Sequence, residues 1–275
     1  MFQYAAGRAL ALANGCQLKL DISGFNNYGL HNGYELELFD IKAEIASVAE
    51  VSQLVGLSPR IAKFVRERCG LGKKSYCLER NFCFDVGFFG NTPPLYLDGY
   101  WQSSKYFESC AAEIREEFTF SSDLLDKNLE LARLIGQVNS VSIHIRRGDY
   151  VASQATSKVL GFVGLEYYKL AMRRIFNEVS APWFFVFSDD LAWAKNNLGL
   201  SDRVTFVDHN RGATSYKDMR MMGLCQHHII ANSSFSWWAA WLNPSPVKIV
   251  IAPQRWFSSG DLDARDLLPD GWIKL

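Results

Sequence analysis

Two arginines and an imidazole stand close together in the run Val141-Ser142-Ile143-His144-Ile145-Arg146-Arg147-Gly148-Asp149-Tyr150. Tandem guanidinium groups suit a phosphate, because each planar fork can hold two oxygens at once. The first half of the run alternates. Val141, Ile143 and Ile145 fall on one face of a strand, and Ser142, His144 and Arg146 on the other. Gly148-Asp149 is turn chemistry, so Arg147 and Asp149 fall where that strand ends. Open α/β sheets bind ligands just beyond the carboxyl ends of their strands. The plainer reading of the same residues is a surface strand end with an Arg147–Asp149 ion pair, and the pattern alone leaves the two readings even.

Three further groups fall at strand ends or helix starts. Ser188-Asp189-Asp190 follows an apolar run, and its first reading is a helix cap. Its adjacent carboxylates are not the spaced pair that a divalent ion on a diphosphate wants. In Asn232-Ser233-Ser234-Phe235-Ser236-Trp237-Trp238, a strand gives way to hydroxyl residues and then a helix. Such a junction presents backbone N–H groups and the positive end of a helix dipole to an anion. Ser233, Ser234 and Ser236 add donors, while the tryptophans read as packing. Asp218, on an expected helix over 214–226, has the carboxylate that would match the paired N–H donors of a guanine, although a lone helix aspartate is more often solvated.

The elements that must position these groups follow an α/β rhythm in the second half. Strands are expected at 141–146, 183–187, 204–207, 228–231 and 248–251, with helices at 165–179, 190–198, 214–226 and 234–242 between them. Alternation of this kind implies a parallel sheet. The continuous apolar run Trp183-Phe184-Phe185-Val186-Phe187 is that of a strand buried on both faces. The first half is less regular. A helix over 2–13 stops at Asn14-Gly15, a short strand covers 16–22, and a long Gly- and Asn-rich stretch fills 23–40. Helices are expected near 47–56, 59–69, 106–118 and 122–137, and a strand begins at Leu95; 70–94 resists assignment. No strand precedes the opening helix, so the first domain is read as lacking its first strand. The domain boundary is placed at 139, giving domains 1–139 and 140–275.

Bulk properties narrow the function. Lys+Arg and Asp+Glu are equal at 29 each, so the chain lacks the basic footprint of a general nucleic-acid binder. The paired arginines are therefore a local device. The six cysteines form no CxxC pair and read as reduced thiols of a cytoplasmic protein. No apolar stretch is long enough to span a membrane, so membrane association would be peripheral, at the inner face of the cytoplasmic membrane.

Taken together, His144-Ile145-Arg146-Arg147-Gly148-Asp149-Tyr150 resembles the HxRRxDY signature of bacterial α-1,2-fucosyltransferases, glycosyltransferase family 11. Gly99-Tyr100-Trp101-Gln102-Ser103-Ser104-Lys105-Tyr106-Phe107, Phe187-Ser188-Asp189-Asp190 and Asn232 to Trp238 are similar to its other signatures, and Met1 to Ala6 to its MFQYA segment. The resemblance covers nearly the whole chain, with the motifs in the family's order. It implies a GT-B-like fold of two Rossmann-like domains facing a cleft, 1–139 on the acceptor side and 140–275 binding the donor. It implies GDP-β-L-fucose as donor, a galactose-containing glycan as acceptor at O2, inversion, and no metal or other cofactor. By the same resemblance Arg146, His144 and Asp149 are the catalytic candidates. Arg147, Asp218, Ser233, Ser234, Ser236, Ser188 and Asp189 are the donor-binding ones. A surface-polysaccharide or O-antigen pathway is the expected setting. A silent GDP-sugar-binding homologue, or a transferase of another nucleotide sugar, are the alternatives.

Without a spaced carboxylate pair, fixed cations and N–H donors must take up the diphosphate's charge. GDP affinity measured calorimetrically should then be the same with and without EDTA; a large loss on chelation would overturn the metal-free expectation.

Overall fold

The structure is a computed structural model, and it describes residues 1–26, 33–55, 75–148, 161–258 and 262–275. The chain divides into two compact units, 1–121 with 263–269, and 122–262 with 270–275. The helix expected near 122–137 is therefore part of the second unit, and the division falls ahead of residue 139. The reason is packing: that helix, Asp126–Gln137, lies against the helix Tyr216–Leu224 and buries Leu131 and Ile135.

In the first unit, α1 (Phe2–Ala13) buries Phe2, Tyr4, Ala5, Ala6, Ala9 and Leu10. It ends where the sequence stops it: Asn14 is the cap and Gly15 follows at φ +61°, the left-handed position that favours glycine. The strand expected over 16–22 contracts to β1 (Lys19–Leu20), which pairs in parallel with β2 (Glu44–Ile45). α2 (Val48–Val55) follows as expected, whereas the helix expected near 59–69 lies outside the described residues. The unassigned stretch holds a strand, β3 (Tyr76–Leu78), parallel to β4 (Tyr96–Asp98). The helix expected over 106–118 is two single 3-10 turns followed by α3 (Ala111–Glu117).

The turn after β4 is held by a carboxylate. Glu79 Oε2 accepts the Tyr100 N–H at 2.7 Å and Oε1 the Trp101 N–H at 3.0 Å. Trp101 is buried with φ 55°, a conformation few bulky residues adopt. Gly99 admits no side chain, since a Cβ there would stand 2.4 Å from Glu79 Cβ.

The second unit carries α4 (Asp126–Gln137) and a six-stranded sheet in which every pairing is parallel. Its strands are β5 (Ser140–Ile145), β6 (Trp183–Ser188), β7 (Val204–Val207), β8 (His227–Ile229), β9 (Val250–Ala252) and β10 (Ile273–Lys274). The spatial order is β10-β9-β8-β5-β6-β7. Chain order thus runs outward from β5 to one edge, then returns beside β5 and runs to the other. That is the doubly wound Rossmann order, with its switch point between β5 and β8. The connecting helices are α5 (Leu165–Glu178), α6 (Leu191–Asn197), α7 (Tyr216–Leu224) and α8 (Ser234–Leu242). Val141, Ile143 and Ile145 pack with Tyr168, Ala171, Met172 and Ile175 of α5 and with Ala194 and Leu198 of the α6 segment. Trp237, Trp238 and Trp241 of α8 are buried against one another, as packing residues.

One buried ion pair anchors the first unit. Arg8 grips Glu117 through Nη2 at 2.8 Å and Nε at 2.9 Å, and the Tyr4 hydroxyl donates to the same carboxylate. Glu117 is nearly fully buried, so removing its cation strands a charge. Arg8→Ala should destabilise the unit by about 3–5 kcal/mol, the range for breaking a buried pair. Arg8→Met combined with Glu117→Leu should recover most of it. Urea midpoints of the two variants check this, and equal losses would contradict it.

Candidate functional site

β5 is the strand from which the site is built. All six of its residues are buried, so its polar face is covered rather than open as the alternation alone suggested. Ser142 Oγ pairs with His228 Nδ1 at 2.9 Å, and His144 Nδ1 with Ser236 Oγ at 2.8 Å. The second of these links β5 to the first turn of α8, across the topological switch point. His144 is 6% exposed. Burial and the neighbouring Arg146 cation push its pKa down to about 3, so the ring is neutral at physiological pH. Phe235 stands beside it with ring centroids 5.7 Å apart.

The period of two sends the two arginines apart. Arg146 leaves the strand on the His144 side, with its side chain partly exposed and Nε 3.4 Å from Asp189 Oδ2, a loose pair. Arg147 is committed elsewhere. Its Nη1 lies 2.5 Å from Asp190 Oδ2, and its guanidinium stands over the rings of Phe162 (5.7 Å) and Trp193 (5.4 Å), which meet each other edge-on. A guanidinium that is ion-paired and rests on two aromatic rings is held in place. Arg147 was expected to bind donor and to pair with Asp149. Its partner is Asp190, and Asp149 lies outside the described residues.

The Ser188-Asp189-Asp190 group is a brace. Asp190 caps α6, its carboxylate accepting the Trp193 N–H at 3.0 Å, and its own N–H donates to Ser188 Oγ at 2.9 Å. Asp189 Oδ1 accepts the Arg147 N–H at 2.9 Å. Ser188 and Asp189, read as donor-binding, are thus engaged in holding the strand end. An anionic Asp189 is a poor partner for phosphate and a good one for the arginines. Ser236 is likewise redirected. Its hydroxyl is buried between His144 and the Ser233 carbonyl and faces no solvent.

What remains at the switch point is a set of donors at a strand end and a helix start. The first bond of the α8 ladder runs from the Trp237 N–H to the Ser233 carbonyl, so the N–H groups of Ser234, Phe235 and Ser236 precede the ladder. Ser233 occupies the cap position without a side-chain capping bond, and Ser234 is exposed. With Arg146 at the end of β5, these groups present cationic and N–H donors at the place where doubly wound sheets bind phosphates.

A second cluster lies beyond the carboxyl end of β7. Asp218, in the first turn of α7, accepts a hydrogen bond from Asn210 Nδ2 at 2.7 Å. Asn210 and Asn128 of α4 bond each other reciprocally, both at 2.9 Å, and His209 Nε2 lies 3.1 Å from Asn128 Oδ1. Burial pushes the Asp218 carboxyl up to about 7, against the opposing pull of Asn210 and Arg211. Asp218 was expected from sequence. Asn128, Asn210 and His209 were not: the strand-end position of His209 and Asn210 was a usable signal, and nothing in α4 marked Asn128.

Among known proteins, the family model described as Glycosyl transferase family 11 matches residues 70–275. An α-1,2-colitosyltransferase of Escherichia coli is 36% identical, over 100% of this chain and 94% of the relative. The O-antigen biosynthesis glycosyltransferase WbnK, also of Escherichia coli, is 32% identical over 100% of this chain and 96% of its own. Human galactoside α-(1,2)-fucosyltransferase 1 is 32% identical over 54% of this chain and 43% of that protein. Among the described residues no helix is long and apolar enough to cross a membrane.

The Asp218 carboxyl yields a pH-dependent stability. Its folded-state pKa, about 7, lies above the ordinary carboxyl value of 3.8, so the native state holds the proton more tightly than the unfolded chain does. Its stabilising contribution is present in acid and is lost as pH rises from the unfolded value through about 7. Asp218→Asn keeps an acceptor for Asn210 and removes that loss. The variant should match the wild type in stability below about pH 4 and exceed it increasingly up to about pH 7, by up to about 4 kcal/mol on the usual 1.4 kcal/mol per pH unit. A pH-independent difference would show that Asp218 is not buried in this way.

Proposed function

The chain belongs to glycosyl transferase family 11, and from that premise we propose that it transfers L-fucose from GDP-β-L-fucose to O2 of a galactoside, with inversion. The observation that carries this reading is Arg146 just past the carboxyl end of β5, the strand that borders the switch point, with its Nε only loosely held by Asp189. In an inverting displacement the acceptor oxygen attacks the anomeric carbon from the side opposite the diphosphate. Charge then builds on the bridging oxygen of the leaving GDP. Arg146 takes up that charge with its fork, and the Ser234 and Phe235 N–H groups with the Ser233 and Ser234 hydroxyls hold the remaining phosphate oxygens. Neutral His144 lies beneath, fixed by Ser236, and adds no second cation to the cradle. Asp218 faces the guanine, accepting its two edge N–H donors. A metal is not needed in this scheme. The setting supported by the WbnK relationship is O-antigen synthesis.

A second donor is favoured by the 36% relative, which carries colitose, a fucose without O3. Incubating the protein with GDP-fucose or GDP-colitose and lactose, and reading the product by NMR, decides between them. An α-linkage at galactose O2 is expected. No transfer from either donor, with GDP still bound, would instead establish a silent GDP-sugar-binding homologue.

The two arginines should separate cleanly. Arg146→Lys keeps the charge but loses the fork, and turnover should fall by about 10²–10³, the usual loss for one donor to developing charge. GDP affinity should fall less, because charge-assisted ground-state contacts contribute only about 1.5–3 kcal/mol. Arg147→Lys should chiefly lower the melting temperature, since Arg147 is clasped by Asp190, Phe162 and Trp193. Near-wild-type turnover in Arg146→Lys, or a larger catalytic loss at Arg147, would reverse these assignments.

A further inference from the structure

The cluster beyond β7 is built with more care than a helix aspartate needs. Asn128 is 6% exposed and Asn210 8%, and their amides face each other in a closed reciprocal pair. An asparagine amide has two N–H donors. Both of Asn210's are spent, one on Asn128 Oδ1 and one on Asp218 Oδ1. Both lone pairs of Asn128 Oδ1 are spent too, on Asn210 and His209. A flipped Asn210 would set its carbonyl oxygen against both Asn128 Oδ1 and the Asp218 carboxylate, so the amide has one orientation. Among the described residues Asp218 accepts one hydrogen bond, from Asn210, and has no ion pair. A carboxylate that is partly buried ordinarily has more partners. Its pKa is raised by desolvation, with the Asn210 hydrogen bond and Arg211 opposing the shift.

We propose that the reciprocal Asn128–Asn210 pair locks the Asp218 carboxylate in the orientation that accepts two N–H donors side by side, and so sets the preference for guanine over purines lacking the 2-amino group. This inference rests on the reading of Asp218 as the base-facing residue. Asn210 occupies one lone pair of Oδ1. The other lone pair of Oδ1 and those of Oδ2 remain for the guanine N1–H and 2-amino N–H. The terminal torsion of an aspartate is soft and two-fold, so without Asn210 the carboxylate swings and accepts one donor at a time. Hypoxanthine, which keeps N1–H and lacks the 2-amino group, then binds almost as well as guanine. Asn128 and Asn210 are positioning residues here, acting through Asp218.

The test is the ratio of affinities for GDP and inosine diphosphate, by calorimetry at pH 8, for wild type, Asp218→Ala, Asn210→Ala and Asn128→Ala. A partly misfolded variant binds both ligands less and leaves the ratio unchanged, so a merely structural role does not move this readout. One charge-assisted hydrogen bond is worth about tenfold to a hundredfold in affinity, which is the wild-type ratio expected. It should collapse toward one in Asp218→Ala and fall about tenfold or more in Asn210→Ala and Asn128→Ala, with the loss carried by GDP. An intact ratio in both asparagine variants, with a collapsed ratio in Asp218→Ala, would overturn the positioning role and leave the base-facing role standing. An intact ratio in Asp218→Ala would overturn both. If Asn210→Ala does not fold, Asn128→Ala gives the same reading, because without Asn128 the Asn210 amide is free to turn and no longer holds the Asp218 carboxylate in one orientation.

Discussion

A central strand buried on both faces cannot carry polar side chains unless each one finds a partner, and β5 carries Ser142 and His144. The second unit is arranged around that requirement. Ser142 is answered by His228 on β8, whose other ring nitrogen lies 2.9 Å from Asn243 Nδ2; Asn243 in turn donates to the Cys225 carbonyl at 2.8 Å. His144 is answered by Ser236. Both partners lie on the far side of the switch point, so the polar residues of β5 fasten it to the half of the sheet that the chain reaches last. Desolvation keeps both imidazoles neutral, with pKa values near 3. The fastenings are therefore neutral hydrogen bonds and place no cation beneath the Arg146 side chain.

The same strand geometry divides the work of two adjacent arginines. Consecutive side chains leave a strand in opposite directions. Arg147 is drawn into the clasp of Asp190, Phe162 and Trp193, and Asp189 secures its backbone N–H. That clasp joins the end of β5 to the start of α6 and fixes the peptide from which Arg146 departs. In the proposed reaction such preorganisation would matter at Arg146, because a donor already in place need not reorganise as charge develops. The brace formed by Ser188, Asp189 and Asp190 steadies the arginines.

The division of the chain follows from the same packing logic. α4 precedes β5 and was assigned to the first domain because the strand-and-helix rhythm begins only after it. Its burial against α7 and the Asn128–Asn210 pair make it part of the second unit. Amphipathic pattern tells a helix that one face must be buried; it does not say against what.

Much of this protein was written in its residue pattern. The strands and helices of the second half, the double burial of the Trp183–Phe187 run and the strand-end position of Arg146 follow from periodicity, because local backbone geometry imposes its period on any chain that must hide its apolar face. The four motifs likewise identified the family. Tertiary structure decided how the polar groups are spent. Sequence could not show that Ser236 and Asp189 would turn inward to His144 and the arginines, nor that Arg147 would rest on Phe162 and Trp193. It gave no sign that Asn128 would meet Asn210 and Asp218. These pairings join residues distant in the chain, and a hydrogen bond of that kind depends on which elements the fold brings together. Patterning is a property of neighbours along the chain, whereas the use of a donor or a charge is a property of neighbours in space.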